Sequence, residues 1–121
     1  MTNIVLSRKS PVGTHLVVNL YDIPDIDLLS YLWRCRPILS SIVSELNLTV
    51  VNEAGHQFQP IGYTFAYVLS ESHLTIHTYP EHSSCYIDIF CCSPDFDSMK
   101  AITILKRLFN TNNLLYEVII R

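Results

Sequence analysis

Apolar and polar positions follow two alternating periods along most of the chain. Residues 14–21, Thr-His-Leu-Val-Val-Asn-Leu-Tyr, are β-branched and apolar enough for a first strand. Leu28, Leu32, Cys35, Leu39, Ile42 or Val43, and Leu46 then recur every three or four positions, as one face of an amphipathic helix does. Pro37 falls inside that stripe. It lacks an amide hydrogen and its ring crowds the preceding turn, which predicts a kink or restart near Arg36. Residues 48–51 read as a short strand, 52–55 as a turn, and 58–69 as a longer strand made irregular at its start by Pro60 and Gly62. Alternation puts Tyr63, Phe65, Tyr67 and Leu69 on one face, to meet a helix layer or a partner. Thr64, Ala66, Val68 and Ser70 lie on the other.

Two further strands are predicted over 74–79 and 85–92, and the second points the adjacent Cys91 and Cys92 to opposite faces. A turn at 93–97 offers Asp caps to a helix over 98–110, whose buried stripe is Ile102, Leu105, Leu108 and Phe109. Residues 114–120 close as a strand, and residues 1–12 read as a loose arm. The order β-α-β-β-β-β-α-β is satisfied by an α+β fold. Its form is a two-layer α/β sandwich: an antiparallel sheet with the helices on one face.

With 121 residues, the whole of 1–121 forms one domain. Hydrophobic residues make up 49% and charged residues 16%, which excludes a disordered chain and leaves apolar surface for a second subunit to cover. The net charge of -3, with no basic cluster larger than a pair, gives no reason to expect nucleic acid. No long apolar run follows the first residues, so neither a signal peptide nor a membrane span is expected. Cys35, Cys85, Cys91 and Cys92 match no zinc spacing and no disulfide framework, and reduced thiols in the cytoplasm follow.

Residues 70–81, Ser-Glu-Ser-His-Leu-Thr-Ile-His-Thr-Tyr-Pro-Glu, gather hydroxyls, a carboxylate and two imidazoles between two apolar strands. A hydrolase triad is one reading, but no Gly-x-Ser-x-Gly elbow is present. A metal site using His73, His77 and Glu81 or His82 is another. On a strand, however, His73 and His77 share a face about 13 Å apart. The third is self-cleavage at Glu71-Ser72. There a serine hydroxyl attacks its preceding carbonyl, a base removes the α-proton, and the upstream carboxylate is eliminated. That chemistry needs a hydroxyl, an imidazole and a constrained turn, all of which the stretch contains.

Longer stretches carry a resemblance. Gly13-Thr-His15-Leu, Phe58-x-Pro60-x-Gly62-x-Thr64, Leu69-Ser-Glu-Ser-His73, Ile76-His-Thr-Tyr-Pro-Glu81 and Asp88-Ile-Phe-Cys-Cys92 together resemble the prokaryotic-type S-adenosylmethionine decarboxylase proenzymes. The resemblance implies self-cleavage between 71 and 72 into a β chain, 1–71, and an α chain, 72–121. Ser72 would be the precursor of a pyruvoyl cofactor, with neither pyridoxal phosphate nor metal, and Glu71 the residue left at the cut. His77 would be the processing base, and Thr64 would stand where the family usually has a serine that assists it. Cys92 would protonate the product, a task suited to thiols, which ordinarily ionise near pH 8.5.

In the family, the substrate amine forms a Schiff base with the pyruvoyl carbonyl, which takes up the electrons left by carbon dioxide. Phe58 and Tyr79 would flank adenine, with Tyr79 replacing the usual Trp, and Glu81 would hold the ribose hydroxyls. The implied partners are S-adenosylmethionine and a second copy, in a homodimer with active sites at the interface. The product would be the aminopropyl donor for spermidine synthesis. Two rivals stand beside this reading: an arginine or ornithine decarboxylase of the same chemistry, and an uncleaved, non-catalytic regulatory relative. Convergence of Phe58, Tyr79 and Glu81 on one pocket separates the first rival from the main reading.

Overall fold

The computed structural model describes Ile4–Val5 and residues 11–121. Seven strands form one sheet: β1 (Ile4–Val5), β2 (Thr14–Leu20), β3 (Val50–Gln57), β4 (Tyr63–Leu69), β5 (Ser72–Tyr79), β6 (Ser84–Cys91) and β7 (Leu114–Ile120), in the order β1-β7-β2-β6-β5-β4-β3. All neighbours run antiparallel except β1 and β7. The helices are α1 (Ile26–Ser30), α2 (Leu32–Glu45) and α3 (Ser98–Phe109). Among the described residues no helix is long and apolar enough to cross a membrane.

Period-two alternation decides which face of the sheet the helices cover. Leu16, Val18 and Leu20 on β2, Tyr63, Phe65, Tyr67 and Leu69 on β4, Leu74 and Ile76 on β5, and Ile87 and Ile89 on β6 are all buried. They form one core with Leu29, Cys35, Leu39 and Ile42 of the first two helices and Ile102, Leu105 and Phe109 of α3. Asp97 caps α3 by accepting from the Met99 and Lys100 amides at 3.0 and 3.1 Å. The two-layer α+β sandwich expected from the element order is therefore present, and among the described residues no helix covers the second face.

Three local expectations change. The break in the first helical stripe falls at Tyr31 rather than near Arg36, and α2 runs through Pro37. Gln57 accounts for the position of the break. Its side-chain oxygen accepts from the Leu32 amide at 2.8 Å, and its side-chain nitrogen donates to the Ser30 carbonyl at 2.8 Å, replacing the bonds a continuous helix would make. Residues 52–55 are not a turn but the middle of β3, an exposed edge strand with a bulge between Val50 and Asn52. Both sides of that strand are solvated, so it shows no alternation. The expected arm over 1–12 falls mostly outside the described residues, yet Ile4–Val5 within it pairs with β7 as an added edge strand.

Gly13 sits at a close approach, since a Cβ there would lie 2.7 Å from the Cys91 carbonyl oxygen. Its absence allows β2 to start hard against the end of β6, where Cys92 emerges.

Candidate active site

Strands β4 and β5 form a hairpin in which Leu69 pairs with Ser72, leaving Ser70 and Glu71 as the connection. Ser72 has φ 141°, a region that essentially only glycine adopts and that costs a side-chain-bearing residue about 1–3 kcal/mol. Several bonds hold the turn in place. The Glu71 carboxylate accepts from the Thr49 amide at 3.0 Å, which keeps its carboxyl below the usual range. The Ser70 amide donates to the Thr49 carbonyl at 2.9 Å, and the Cys92 amide donates to the Glu71 carbonyl at 2.8 Å. Ser72 Oγ lies 3.2 Å from Cys92 Sγ. The Ser72 hydroxyl, the Glu71 carbonyl and an N–H that would stabilise negative charge on that carbonyl's oxygen therefore share one strained turn.

A second group lies on the uncovered face of the sheet. Thr64 and His77 are paired across β4 and β5, with Thr64 Oγ1 3.0 Å from His77 Nδ1. Beside them a cleft of about 300 Å³ is lined by Phe58, Thr64, His77, Tyr79 and Glu81 among others. Phe58 and Tyr79 are 46% and 39% exposed, so neither ring is committed to the core. The three expected substrate residues converge on one pocket.

The two groups are not together within one chain. His77 is five residues along β5 from Ser72, about 16 Å at the rise of a strand. One end of the sheet carries Ser72, Glu71 and Cys92. The other carries Thr64, His77, Phe58, Tyr79 and Glu81.

His15, Thr75 and Asp88, given no role of their own in the sequence reading, lie between them together with His73, which is weighed there only as a metal ligand beside His77. Asp88 Oδ2 is 2.7 Å from His15 Nε2 and 3.0 Å from His73 Nε2, while Thr75 donates its hydroxyl to Oδ1. Burial pushes the Asp88 carboxyl up, but hydrogen bonds from Thr75, His15 and His73 outweigh it and leave the group below its usual range. The available sign was a charge at an alternating position of an otherwise apolar strand, between Ile87 and Ile89.

The four thiols divide as the alternation implies. Cys35, Cys85 and Cys91 are buried and Cys92 is exposed. Burial pushes the Cys35 thiol up to about 11 and raises those of Cys85 and Cys91. Brief treatment of the native protein with iodoacetamide at neutral pH should therefore add one carbamidomethyl group, which peptide mapping should find on Cys92.

Comparison with known proteins follows the same residues. A family model for S-adenosylmethionine decarboxylase matches residues 14–121. An S-adenosylmethionine decarboxylase proenzyme of Thermosipho africanus is 35% identical over 103 residues, 85% of this chain and 78% of that one. One from Clostridium botulinum strain Loch Maree is 40% identical over 94 residues, 78% of this chain and 80% of that one. The crystal structure of the adenosylmethionine decarboxylase from Aquifex aeolicus superposes with a TM-score of 0.80 at 30% identity, covering 90% of this chain and 89% of that one.

Proposed function

Because the chain belongs to the S-adenosylmethionine decarboxylase family, we propose that it cuts itself between Glu71 and Ser72, giving a β chain of residues 1–71 and an α chain of residues 72–121. The enzyme is an autocatalytically processed carboxy-lyase acting on S-adenosylmethionine, in the service of polyamine synthesis. The observation that carries the cut is the turn itself. Ser72 is held in a strained conformation, and the carbonyl before it already accepts the Cys92 amide at 2.8 Å.

Ser72 Oγ attacks the Glu71 carbonyl carbon, and the negative charge that forms on oxygen is met by the Cys92 N–H. Collapse breaks the C–N bond, the departing nitrogen takes up the proton that the Ser72 hydroxyl gave up, and Glu71 is left joined to the Ser72 side chain as an ester, with a free amino group on residue 72. His77 then removes the Ser72 α-proton. The electron pair forms the Cα–Cβ double bond, and Oγ departs as the new Glu71 carboxylate. Tautomerisation and addition of water release ammonia and leave a pyruvoyl terminus. For this step Thr64 Oγ1 accepts from His77 Nδ1–H, which leaves Nε2 free to take the proton.

The His77 that serves a given Ser72 belongs to a second copy. Across the sheet, His15, Phe90, His73 and Val68 form one row. Val17, Asp88, Thr75 and Ala66 form the next, and Asn19, Tyr86, His77 and Thr64 the third. A two-fold axis running across the strands over the Asp88 row lays the first row of one sheet over the third row of its partner. Face-to-face sheets pack about 10 Å apart, which closes the gap that the strand length opens. Val17, Val68, Tyr86 and Leu115 on that face are all more than a third exposed, apolar surface that a second sheet would cover.

When formed, the pyruvoyl carbonyl supplies the sink for the electrons left by departing carbon dioxide. The strained serine and its hydroxyl fit that origin. Phe58 and Tyr79 of the opposing copy receive the adenine between them and favour the sulfonium charge, while Glu81 accepts hydrogen bonds from the ribose hydroxyls. The Cys92 thiol, beside residue 72, delivers the proton to the carbon that loses the carboxyl group. Convergence of these three side chains supports the nucleoside substrate over a free amino acid.

The denatured mass of the purified protein tests the proposal. Two fragments meeting between 71 and 72 are expected. Borohydride reduction after incubation with S-adenosylmethionine should add the decarboxylated substrate to the fragment that begins at residue 72. An intact chain of 13.9 kDa that nonetheless released carbon dioxide would overturn it.

A further inference from the structure

A strained residue persists only where its surroundings over-determine it, and upstream of Ser72 those surroundings are plain. Ser70, Glu71 and the Glu71 carbonyl are all pinned by the Thr49 and Cys92 backbone. Downstream, the next residue is His73, whose side chain bonds to Asp88 on the neighbouring strand. We propose that His73, anchored on Asp88, is a positioning residue that keeps Ser72 aimed at the Glu71 carbonyl for the first step of self-cleavage, and that His15 and Thr75 fix Asp88 for this purpose. The inference rests on the assignment of Ser72 as the cleavage nucleophile.

The geometry is that of an anchor. Thr75 occupies one carboxylate oxygen of Asp88, and His15 Nε2 and His73 Nε2 both meet the other. The three donors come from β2 and β5, on either side of the strand that carries Asp88, so the carboxylate cannot swing toward one without leaving another. Ionic acceptors make the stronger hydrogen bonds, and this one is partly withdrawn from water, with 22% of its side chain exposed.

Two imidazoles and a carboxylate also suggest a divalent metal, and their ligand atoms lie within 4.8 Å of one another. The surroundings of His15 point the other way. The Arg121 guanidinium lies 3.4 Å from His15 Nδ1 and can only donate, so Nδ1 is the acceptor and Nε2 carries the ring proton toward Asp88. A metal-binding nitrogen would need the opposite tautomer.

The test isolates the first step. In a His77→Ala background the chain should stop at the ester. Hydroxylamine attacks esters far faster than amides, so hydroxylamine-dependent scission between 71 and 72 reads the rate of ester formation. Adding His73→Phe should slow that scission at least about tenfold. His73→Gln, whose amide can donate to the same oxygen, should bring it back to within about threefold of the His77→Ala parent. Asp88→Asn keeps the shape but offers one oxygen to three donors, and should slow scission as His73→Phe does.

Thermal unfolding and dimer mass are compared alongside. If His73→Phe does not fold, the isosteric Asp88→Asn carries the comparison. Scission at the parental rate in either folded variant, or a His73→Gln as slow as His73→Phe, would overturn the positioning role. A His77→Ala parent that hydroxylamine does not cut would instead sink the assignment of Ser72 and His77.

Discussion

Ser72→Ala is expected to give a single chain of 13.9 kDa and no measurable decarboxylation. The substitution removes only Oγ. The β-carbon stays, so the steric demand at φ 141° is unchanged and the β4–β5 hairpin keeps its register. What disappears, on the proposed mechanism, is both the nucleophile for the cut and the atom whose elimination creates the carbonyl cofactor. That carbonyl is the proposed electron sink, so the loss should be complete rather than graded, beyond the lowest factor of about a million that enzymes typically supply. Denatured mass and release of carbon dioxide from carboxyl-labelled S-adenosylmethionine check it together. A folded, uncut variant that still released carbon dioxide would remove residue 72 from the mechanism.

Two inactive proteins should also restore one another. Ser72→Ala retains Thr64, His77 and the Phe58–Tyr79–Glu81 cleft, whereas His77→Ala retains Ser72, Glu71 and Cys92. If each site draws one group from each copy, a mixed dimer contains one complete site. Random co-assembly in one cell then predicts about a quarter of the parental activity, since half the dimers are mixed and each has one working site of two. Each variant expressed alone should show none. Activity absent from the mixture, with mixed dimers present by native mass, would mean that each site is built within one chain. The roughly 16 Å of strand between Ser72 and His77 would then have to be closed by some rearrangement of β5.

Most of the sheet was legible because one of its faces is apolar and buried under the helices, while the other mixes polar and apolar residues and is left uncovered by them. Tyr63, Phe65, Tyr67 and Leu69 are buried as their alternation implies, and Cys91 and Cys92 point opposite ways. The stripe of α3 was legible for the same reason at a different period. Strand β3 was not, because its residues 50–56 are all exposed and an edge strand solvated on both sides carries no pattern. The position of the helix break depended on Gln57, a residue distant in sequence whose side chain reaches across to it, and no local rule reports such a contact.

The site shows a similar division. The residue types at Ser72, His77 and Cys92 stood out in their motifs, but their distribution over two ends of a sheet is a property of register. Asp88 was legible only as the first residue of a motif, with no role of its own, because its partners, His15 and His73, lie 73 and 15 positions away.

The β4–β5 hairpin has a consequence for the life history of the protein. Before the proposed cut between Glu71 and Ser72, its two strands are covalently joined by two residues, and their pairing from Leu69 and Ser72 to Thr64 and His77 closes within one chain. Folding of each subunit, ahead of its pairing with a second copy, is then a first-order process. Afterwards the same strand pairs hold two separate polypeptides in one sheet. A mature enzyme that unfolds must find its other piece by diffusion, so recovery from denaturant should be second order and should fail on dilution, while the uncut Ser72→Ala chain refolds at any concentration. Maturation thus makes assembly a one-way event: the molecule is able to fold alone only until it becomes able to work.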